Sequence, residues 1–444
     1  MSRALITDLY ELNMAASYLR RGMVGPATFS LFVRTLPVDR GFLVSAGLED
    51  CLSYLEAFAF EDEDLAWLAG AGFPADVVDA FAGLRFTCDV NAVPEGRVVL
   101  ANEPIIEVTG PIAEAQLVET YLLNQVTFQT AVATKAARCR LAAGDIDLVD
   151  FALRRTHGVD AGMAVARLSA IAGFAATSNV EAARRFGLRA AGTMAHSYIE
   201  AFPSEASAFR AFAQDLPEHT TFLVDTYDTL AGVTTAIGVI RDLGLGGSLG
   251  VRLDSGDLVA LSGEARRLLN DAGLPQVRIF ASGGLDEYEL ERFVAEGAPI
   301  DAAGIGTKMG VSADAPYLDS AYKLVAFGDR PVMKLSAGKV TLPGAKQVWR
   351  RRPIEEDVLA RRDEPGPAGA EPLLVPVMRD GRRVAAPESI DAARARLQGD
   401  LDSLPAEARL LRRPVVPHVQ VSPGLDERLR EVTETLRRAG SGEG

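Results

Sequence analysis

The sequence predicts an α/β protein built from a (β/α) barrel and an α+β lobe. Three observations carry that prediction. Short apolar runs alternate with helix-like stretches through the middle of the chain, each apolar run ends in polar, charged or glycine-rich residues, and the alternation stops on either side. The apolar runs are residues 148–151, 188–191, 221–224, 249–253, 277–281 and 302–305. Helix-like segments lie at 180–186, 206–214, 233–243, 261–272 and 285–296. Ser178 and Asn179 stand where a helix cap would, and Gly187 stands where that helix would end. Strand–helix alternation at this spacing reads as successive βα units on a parallel sheet.

Residues 1–110 follow a different order. A helix-like start gives way to FSLFVRTLP at 29–37, which alternates like a strand. A helical stretch at 46–58 and a strand-like stretch at 98–108 follow, an α+β pattern. Near the other end, EPGPAGAEP at 364–372 reads as a surface loop, and residues 441–444 as a frayed end.

Bulk properties narrow the function. The chain has 444 residues, more than one ordinary domain, and a formal net charge of −14. So acidic a chain is a poor general nucleic-acid binder, and an anionic ligand would need a local basic cluster. Cys51, Cys88 and Cys139 are far apart and in no metal-ligand spacing, which suits a reducing cytoplasm. The first residues place Asp8 and Glu11 inside the apolar stretch, unlike a signal peptide. No apolar run is long enough to span a membrane.

The chemistry-bearing residues gather at the strand ends, the face that carries the active site in (β/α) barrels. His196, in GTMAHS, is one of four histidines. His219 and His418 read as structural or exposed, whereas His196 follows a strand between two small residues, where an imidazole can act as nucleophile or base. Arg154 and Arg155, with His157, follow Phe151, and a guanidinium fork there suits a carboxylate or phosphate. Phe151 is either a stacking surface for an aromatic substrate or plain core. Asp225 and Asp228, then Asp254 and Asp257, follow adjacent strands, an arrangement suited to Mg²⁺, ribose hydroxyls or a developing cation. Helix capping alone would explain one such aspartate, and Arg252 can offset part of their repulsion. Ser282, Gly283 and Gly284, and then Gly304, Gly306 and Thr307, form two glycine loops after successive strands, as phosphate-binding loops do.

Taken in order, TDLYELNMA (7–15), the 151–155 segment, GTMAHS (192–197), VDTYDT (224–229), VRLDSGDL (251–258), ASGGLDE (281–287), GIGTKM (304–309) and PGAKQVWR (343–350) resemble the nicotinate phosphoribosyltransferases of the type II phosphoribosyltransferase group. The resemblance implies an irregular α/β barrel plus an α+β sandwich-like domain. The expected division is 1–110 with later contributions, a barrel over 111–325, and a C-terminal segment over 326–444 that packs back on the first. It also implies a homodimer with shared active sites, in which Tyr10 of the neighbouring subunit stacks on nicotinate opposite Phe151. Arg154, Thr193 and Arg252 would face the ligand, Asp254 and Asp225 the ribose or Mg²⁺, and the glycine loops the 5′-phosphate. Arg34 and Lys323 are weaker phosphate candidates. His196 matches the family's phosphorylated histidine, so the resemblance implies ATP as co-substrate and Mg²⁺ as cofactor.

Met194 stands where related nicotinamide enzymes carry an aspartate, which would repel the carboxylate of nicotinate, so the acid is the expected substrate. Ala152 replaces a frequent glycine. The rival readings are a nicotinamide or quinolinate phosphoribosyltransferase, a non-catalytic phosphoribosyl-ligand sensor, and a Schiff-base lyase. The last is disfavoured because only Lys308 lies near a strand end.

Overall fold

A computed structural model describes residues 4–335 and 341–440 of the chain. The expected frayed end at 441–444 lies outside them. The chain divides into two compact units, Val132–Pro316 and a second made of Met1–Ala131 with Tyr317–Gly444.

The Val132–Pro316 unit holds six parallel strands: β1 (Asp147–Asp150), β2 (Ala176–Thr177), β3 (Thr221–Leu223), β4 (Gly250–Leu253), β5 (Arg278–Ala281) and β6 (Ala302–Ile305). Their order is β2-β1-β6-β5-β4-β3, so the last strand returns to pair with the first, as in a barrel. A parallel bridge from Thr177 to Ala190 extends the ring, and the ladder is open between there and β3. The expected strand at 188–191 is thus reduced to one bridge. Strands β4 and β6 are buried at every position, as parallel strands covered on both faces must be.

Helices connect these strands, and their starts are chemically marked. The side chains of Asn179, Ser204, Asp228 and Asp286 accept backbone N–H groups in the first turns of the Val180–Phe186, Glu205–Asp215, Thr229–Leu243 and Glu287–Ala295 helices. Gly187 and Gly244 end two of them in the left-handed conformation.

The other unit is built on a seven-stranded antiparallel sheet in the order Arg330–Pro331, Ser320–Phe327, Pro26–Val33, Pro104–Pro111, Asp89–Ala92, Val375–Arg379 and Arg382–Arg383. A second sheet runs Glu371–Pro372, Lys346–Arg350, Glu356–Arg361 and His418–Val421. Pro26–Val33 alternates in sequence but is buried on both faces after its first residue. Its polar Ser30 is accommodated by donating to the Glu107 carboxylate, which also accepts from the Lys346 N–H at 3.0 Å and from Arg362.

The expected boundaries at 110/111 and 325/326 shift for packing reasons. Residues such as Ile112, Leu117, Leu122 and Val126 belong to the core of the antiparallel unit, and Ser320–Phe327 pairs along Pro26–Val33. The division instead falls inside the Glu119–Ala142 helix and at residue 317.

Candidate active site

The carboxyl ends of the parallel strands converge on Arg252. It lies in β4 and is 9% exposed. Its Nε donates to Ser282 Oγ at 2.7 Å, its Nη1 to Thr193 Oγ1 at 2.9 Å and the Met194 carbonyl at 3.4 Å, and its Nη2 to Asp254 Oδ1 at 2.6 Å. The guanidinium also sits 5.5 Å from the centre of the Phe151 ring. One buried cation therefore ties together three loops and an aromatic face, and its charge is balanced by one carboxylate.

Asp254 closes this network by also accepting from Ser282. Partial burial works against its charge, but the Ser282 hydrogen bond and Arg252, with a contribution from His196, hold its carboxyl below the usual value. Asp225 braces the neighbouring turn. Its Oδ2 accepts the Asp254 N–H at 3.1 Å and Ser255 Oγ at 2.6 Å, while Oδ1 is buried with no hydrogen-bond partner. An unsatisfied buried carboxylate oxygen invites a cation or a hydroxyl. The described residues hold no cluster of three or more metal-type ligands. Two carboxylates with one open oxygen nevertheless fit Mg²⁺, which characteristically takes one or two carboxylates and completes its shell with water and substrate phosphates.

His196 opens a short helix, His196–Glu200, with 41% of its side chain exposed. Its Nδ1 lies 3.2 Å from Thr226 Oγ1 and its Nε2 lies 4.0 Å from Asp254 Oδ2. The imidazole thus has one nitrogen anchored and the other turned toward the carboxylate.

The two glycine loops differ in construction. Gly283 has a φ of +99°, and a Cβ there would lie 2.0 Å from the Asp254 carbonyl oxygen, so only glycine fits. Gly284 also has a positive φ. Gly304, expected in the second loop, is instead buried inside β6, where a Cβ would meet the Phe151 ring at 2.6 Å. Its absent side chain makes room for that ring, and the open part of the loop begins at Gly306, with Thr307 exposed.

Phe151 is 8% exposed and stacks on Phe280 with ring centres 5.5 Å apart. Both rings also line a cavity of about 300 Å³ whose other walls include Thr193 but also Asp147, Thr221, Gly250, Arg278 and Ala302, the first residues of five strands, so it reaches toward the amino ends of the strands. Arg154 and Arg155 sit on an exposed single turn, and His157 is exposed beside them. Of the four aspartates, Asp228 caps the Thr229–Leu243 helix and Asp257 pairs with Arg292 at 3.0 Å, so capping and surface pairing account for these two. His418 is exposed and faces Glu356 at 2.9 Å.

Tyr10, Arg34 and Lys323 belong to the antiparallel unit. Tyr10 is 46% exposed near the start of the Leu9–Arg20 helix, and burial together with Glu119 and Glu11 raises its phenol. Arg34 pairs with Asp319 at 2.7 Å, and Lys323 lies in Ser320–Phe327 within electrostatic reach of Glu119.

Comparison with known proteins shows the family. Residues 5–127 match the nicotinate phosphoribosyltransferase N-terminal domain, 146–323 the nicotinate phosphoribosyltransferase family, and 346–428 the nicotinate phosphoribosyltransferase C-terminal domain. The chain is 48% identical over 417 residues to a Mycobacterium tuberculosis nicotinate phosphoribosyltransferase, covering 92% of this chain and 89% of the relative. The chain belongs to the nicotinate phosphoribosyltransferase family. A Bacillus subtilis nicotinate phosphoribosyltransferase is 44% identical over 378 residues, covering 82% of this chain and 77% of that relative. The crystal structure of human nicotinic acid phosphoribosyltransferase superposes with a TM-score of 0.86 at 30% identity, covering 96% of this chain and 99% of the human one.

In this nicotinate phosphoribosyltransferase family member, three site residues escape a reading by motif. Thr226 looks like a filler between two aspartates, yet it anchors His196. Asp150, fully buried at the end of β1, accepts the Ala152 N–H at 2.8 Å and Thr177 Oγ1 at 2.7 Å and so shapes the turn that presents Arg154. Phe280 reads as an ordinary strand residue and becomes a wall of the cavity. Asp150 and Thr226 could have been marked by standing at or just after a strand end, whereas Phe280 lies inside β5.

Proposed function

We propose that this chain joins nicotinate to phosphoribosyl pyrophosphate, giving nicotinate mononucleotide and pyrophosphate for NAD biosynthesis, and couples this to ATP hydrolysis through phosphorylation of His196. The observation that carries the reading is the Arg252 network, which gathers Thr193, Asp254, Ser282 and Phe151 at one set of strand ends in a chain of this family.

In this account the pyridine nitrogen attacks C1 of the ribose as the C1–O bond to pyrophosphate breaks. The transition state carries oxocarbenium character, which the side chains of Asp254 and Asp225 stabilise. Asp254 suits that task because its neighbours favour the charged form. Arg252 holds Asp254 in place, and the exposed Arg154 fork donates to the nicotinate carboxylate. Gly283, Gly284, Gly306 and Thr307 receive the 5′-phosphate with backbone N–H groups and one hydroxyl. Asp225 and Asp254 are the residues that would hold Mg²⁺, whose charge offsets that of the departing pyrophosphate.

For the ATP half-reaction, the His196 tautomer required is the one with its proton on Nδ1, which lies 3.2 Å from Thr226 Oγ1, so that the lone pair is on Nε2. Nε2 attacks the γ-phosphorus, ADP leaves, and water later cleaves the N–P bond to release phosphate. The two subunits of a homodimer share each site, with Tyr10 of one stacking on nicotinate bound to the other. Three buried free thiols suit a cytoplasmic setting. No helix among the described residues is long and apolar enough to cross a membrane.

The test is product formation. With nicotinate, phosphoribosyl pyrophosphate, ATP and Mg²⁺ the protein should make nicotinate mononucleotide, and with nicotinamide very little product, because apolar Met194 offers the amide no acceptor. Equal use of the two, or no product, overturns the assignment.

A further inference from the structure

The two glycine loops follow neighbouring strands whose backbone pairing ends at Ala281 and Ala303. Beyond that point the ladder no longer sets one loop against the other, and side chains take over. Asp286 follows the first loop and is 8% exposed. Its Oδ1 accepts the N–H groups of Tyr288 and Glu289 at 3.1 and 3.2 Å, which caps the Glu287–Ala295 helix. Its Oδ2 reaches across to Lys308 Nζ at 2.8 Å, and Lys308 directly follows Thr307 of the second loop. One carboxylate therefore fixes the exit of the first loop with one oxygen and grips the second loop with the other.

The next residue makes a parallel tie. Glu287 is fully buried and accepts Lys135 Nζ at 2.6 Å and Arg138 Nε at 3.0 Å. Lys135 also binds Asp314 Oδ1 at 2.7 Å, just past the Thr307–Gly310 turn. The segment from 308 to 314 is thus held at both ends by two consecutive acids of the first loop's exit. The Glu287 tie is deep in the core and belongs to stability. The Asp286–Lys308 tie is different: the Asp286 side chain is 11% exposed but that of Lys308 is 44% exposed, so this pair lies at the rim of the core and not inside it.

We propose that Asp286 and Lys308 are positioning residues that hold the two glycine loops at the spacing needed by the phosphate end of phosphoribosyl pyrophosphate. This rests on the reading that those loops receive the phosphate. The pair touches no reacting atom. It fixes backbone N–H groups, and misplacing such groups by about 1 Å costs on the order of 100-fold in rate or affinity.

The test separates bracing from direct phosphate contact. Asp286→Asn keeps an Oδ1 cap acceptor but loses the charge on Oδ2, and Lys308→Met removes the partner. Each single variant should raise KM for phosphoribosyl pyrophosphate roughly 10- to 100-fold while KM for nicotinate stays within about twofold. The double variant should be no worse than the weaker single variant, and Lys308→Arg should restore most of the affinity. If Lys308 instead gripped the phosphate itself, Asp286→Asn would release it and lower KM, and that result overturns the proposal. Additive losses, equal effects on both substrates, or a loss explained by a fallen melting temperature overturn it too. Thr307→Val is the control for the underlying reading. If it leaves KM for phosphoribosyl pyrophosphate unchanged, the loops do not hold the phosphate and the brace falls with them. If it raises KM while Asp286→Asn and Lys308→Met do not, the loops bind phosphate and only the brace is wrong.

Discussion

Replacing Gly283 with alanine should disable the site while leaving the fold intact. The Cβ would lie 2.0 Å from the Asp254 carbonyl oxygen, and real contacts of this kind do not fall below 3.0 Å. Either the Ser282–Gly284 loop or the Asp254 turn must therefore move by about 1 Å or more, on the scale at which positioned groups lose about 100-fold in rate. The positive φ adds roughly 1–2 kcal/mol of backbone strain. Movement of Asp254 propagates, because its N–H is held by Asp225 and its carboxylate by Arg252 and Ser282. Steady-state kinetics should show kcat/KM lowered about 100-fold. Thermal unfolding should lose only about 2–8 °C. Gly284→Ala is the control: its φ is also positive, at +68°, but nothing lies within 4 Å of its Cβ, so strain without displacement should cost about tenfold or less. Activity of Gly283→Ala within about threefold of the parent, or an equal loss in Gly284→Ala, would refute the close-approach argument.

Two further expectations concern the antiparallel unit. Burial, opposed by hydrogen bonds from Thr120 and Thr7, pushes the Glu11 carboxyl up to about 7 from an ordinary 4.5. The folded protein then binds a proton that the unfolded chain has released between those pH values. The stability from this group is full below about 4.5 and fades as pH rises through about 7, a loss of about 3 kcal/mol by pH 8. Urea titrations at pH 5 and pH 8 should show Glu11→Gln flattening that decline and gaining on the parent at pH 8; an unchanged slope contradicts it. Arg350, fully buried, donates Nε to Asp357 at 3.0 Å and Nη1 to the Val98 carbonyl at 2.7 Å and to Asp400 at 3.3 Å. Arg350→Met leaves buried carboxylates uncompensated and should cost about 3–5 kcal/mol in chemical denaturation, whereas a loss below about 1 kcal/mol would mean the acids simply protonate.

The barrel was legible because its strands are continuous apolar runs with chemistry at one end. The 302–305 run is β6 to the residue, and the 180–186 helix is likewise exact in extent. Ala176–Thr177 was not legible, since two residues are too short to show a period. The Glu119–Ala142 helix hides for the opposite reason: residues 130–139 are all buried, which erases the 3.6-residue stripe. Motif reading singled out Arg252, Asp254 and His196, which the fold brings together, but could not tell clustered aspartates from caps. Asp225 and Asp228 look equivalent in VDTYDT, and only the fold sends one to Asp254 and the other to a helix start. PGAKQVWR is instructive in another way. Its cations, Lys346 and Arg350, are buried against Glu107 and Asp357, so within its own unit this motif is a core ion network.

In the proposed mechanism His196 carries a phosphoryl group between ATP and water while Asp254 and Arg252 govern transfer to nicotinate. This is tested most directly by measuring ADP and nicotinate mononucleotide together, with γ-labelled ATP, for the parent protein and His196→Ala. The parent should form both products in step and carry an acid-labile, base-stable label. His196→Ala should take up no label and release no ADP, yet still form nicotinate mononucleotide slowly. Label or coupled ADP release persisting in His196→Ala would contradict it.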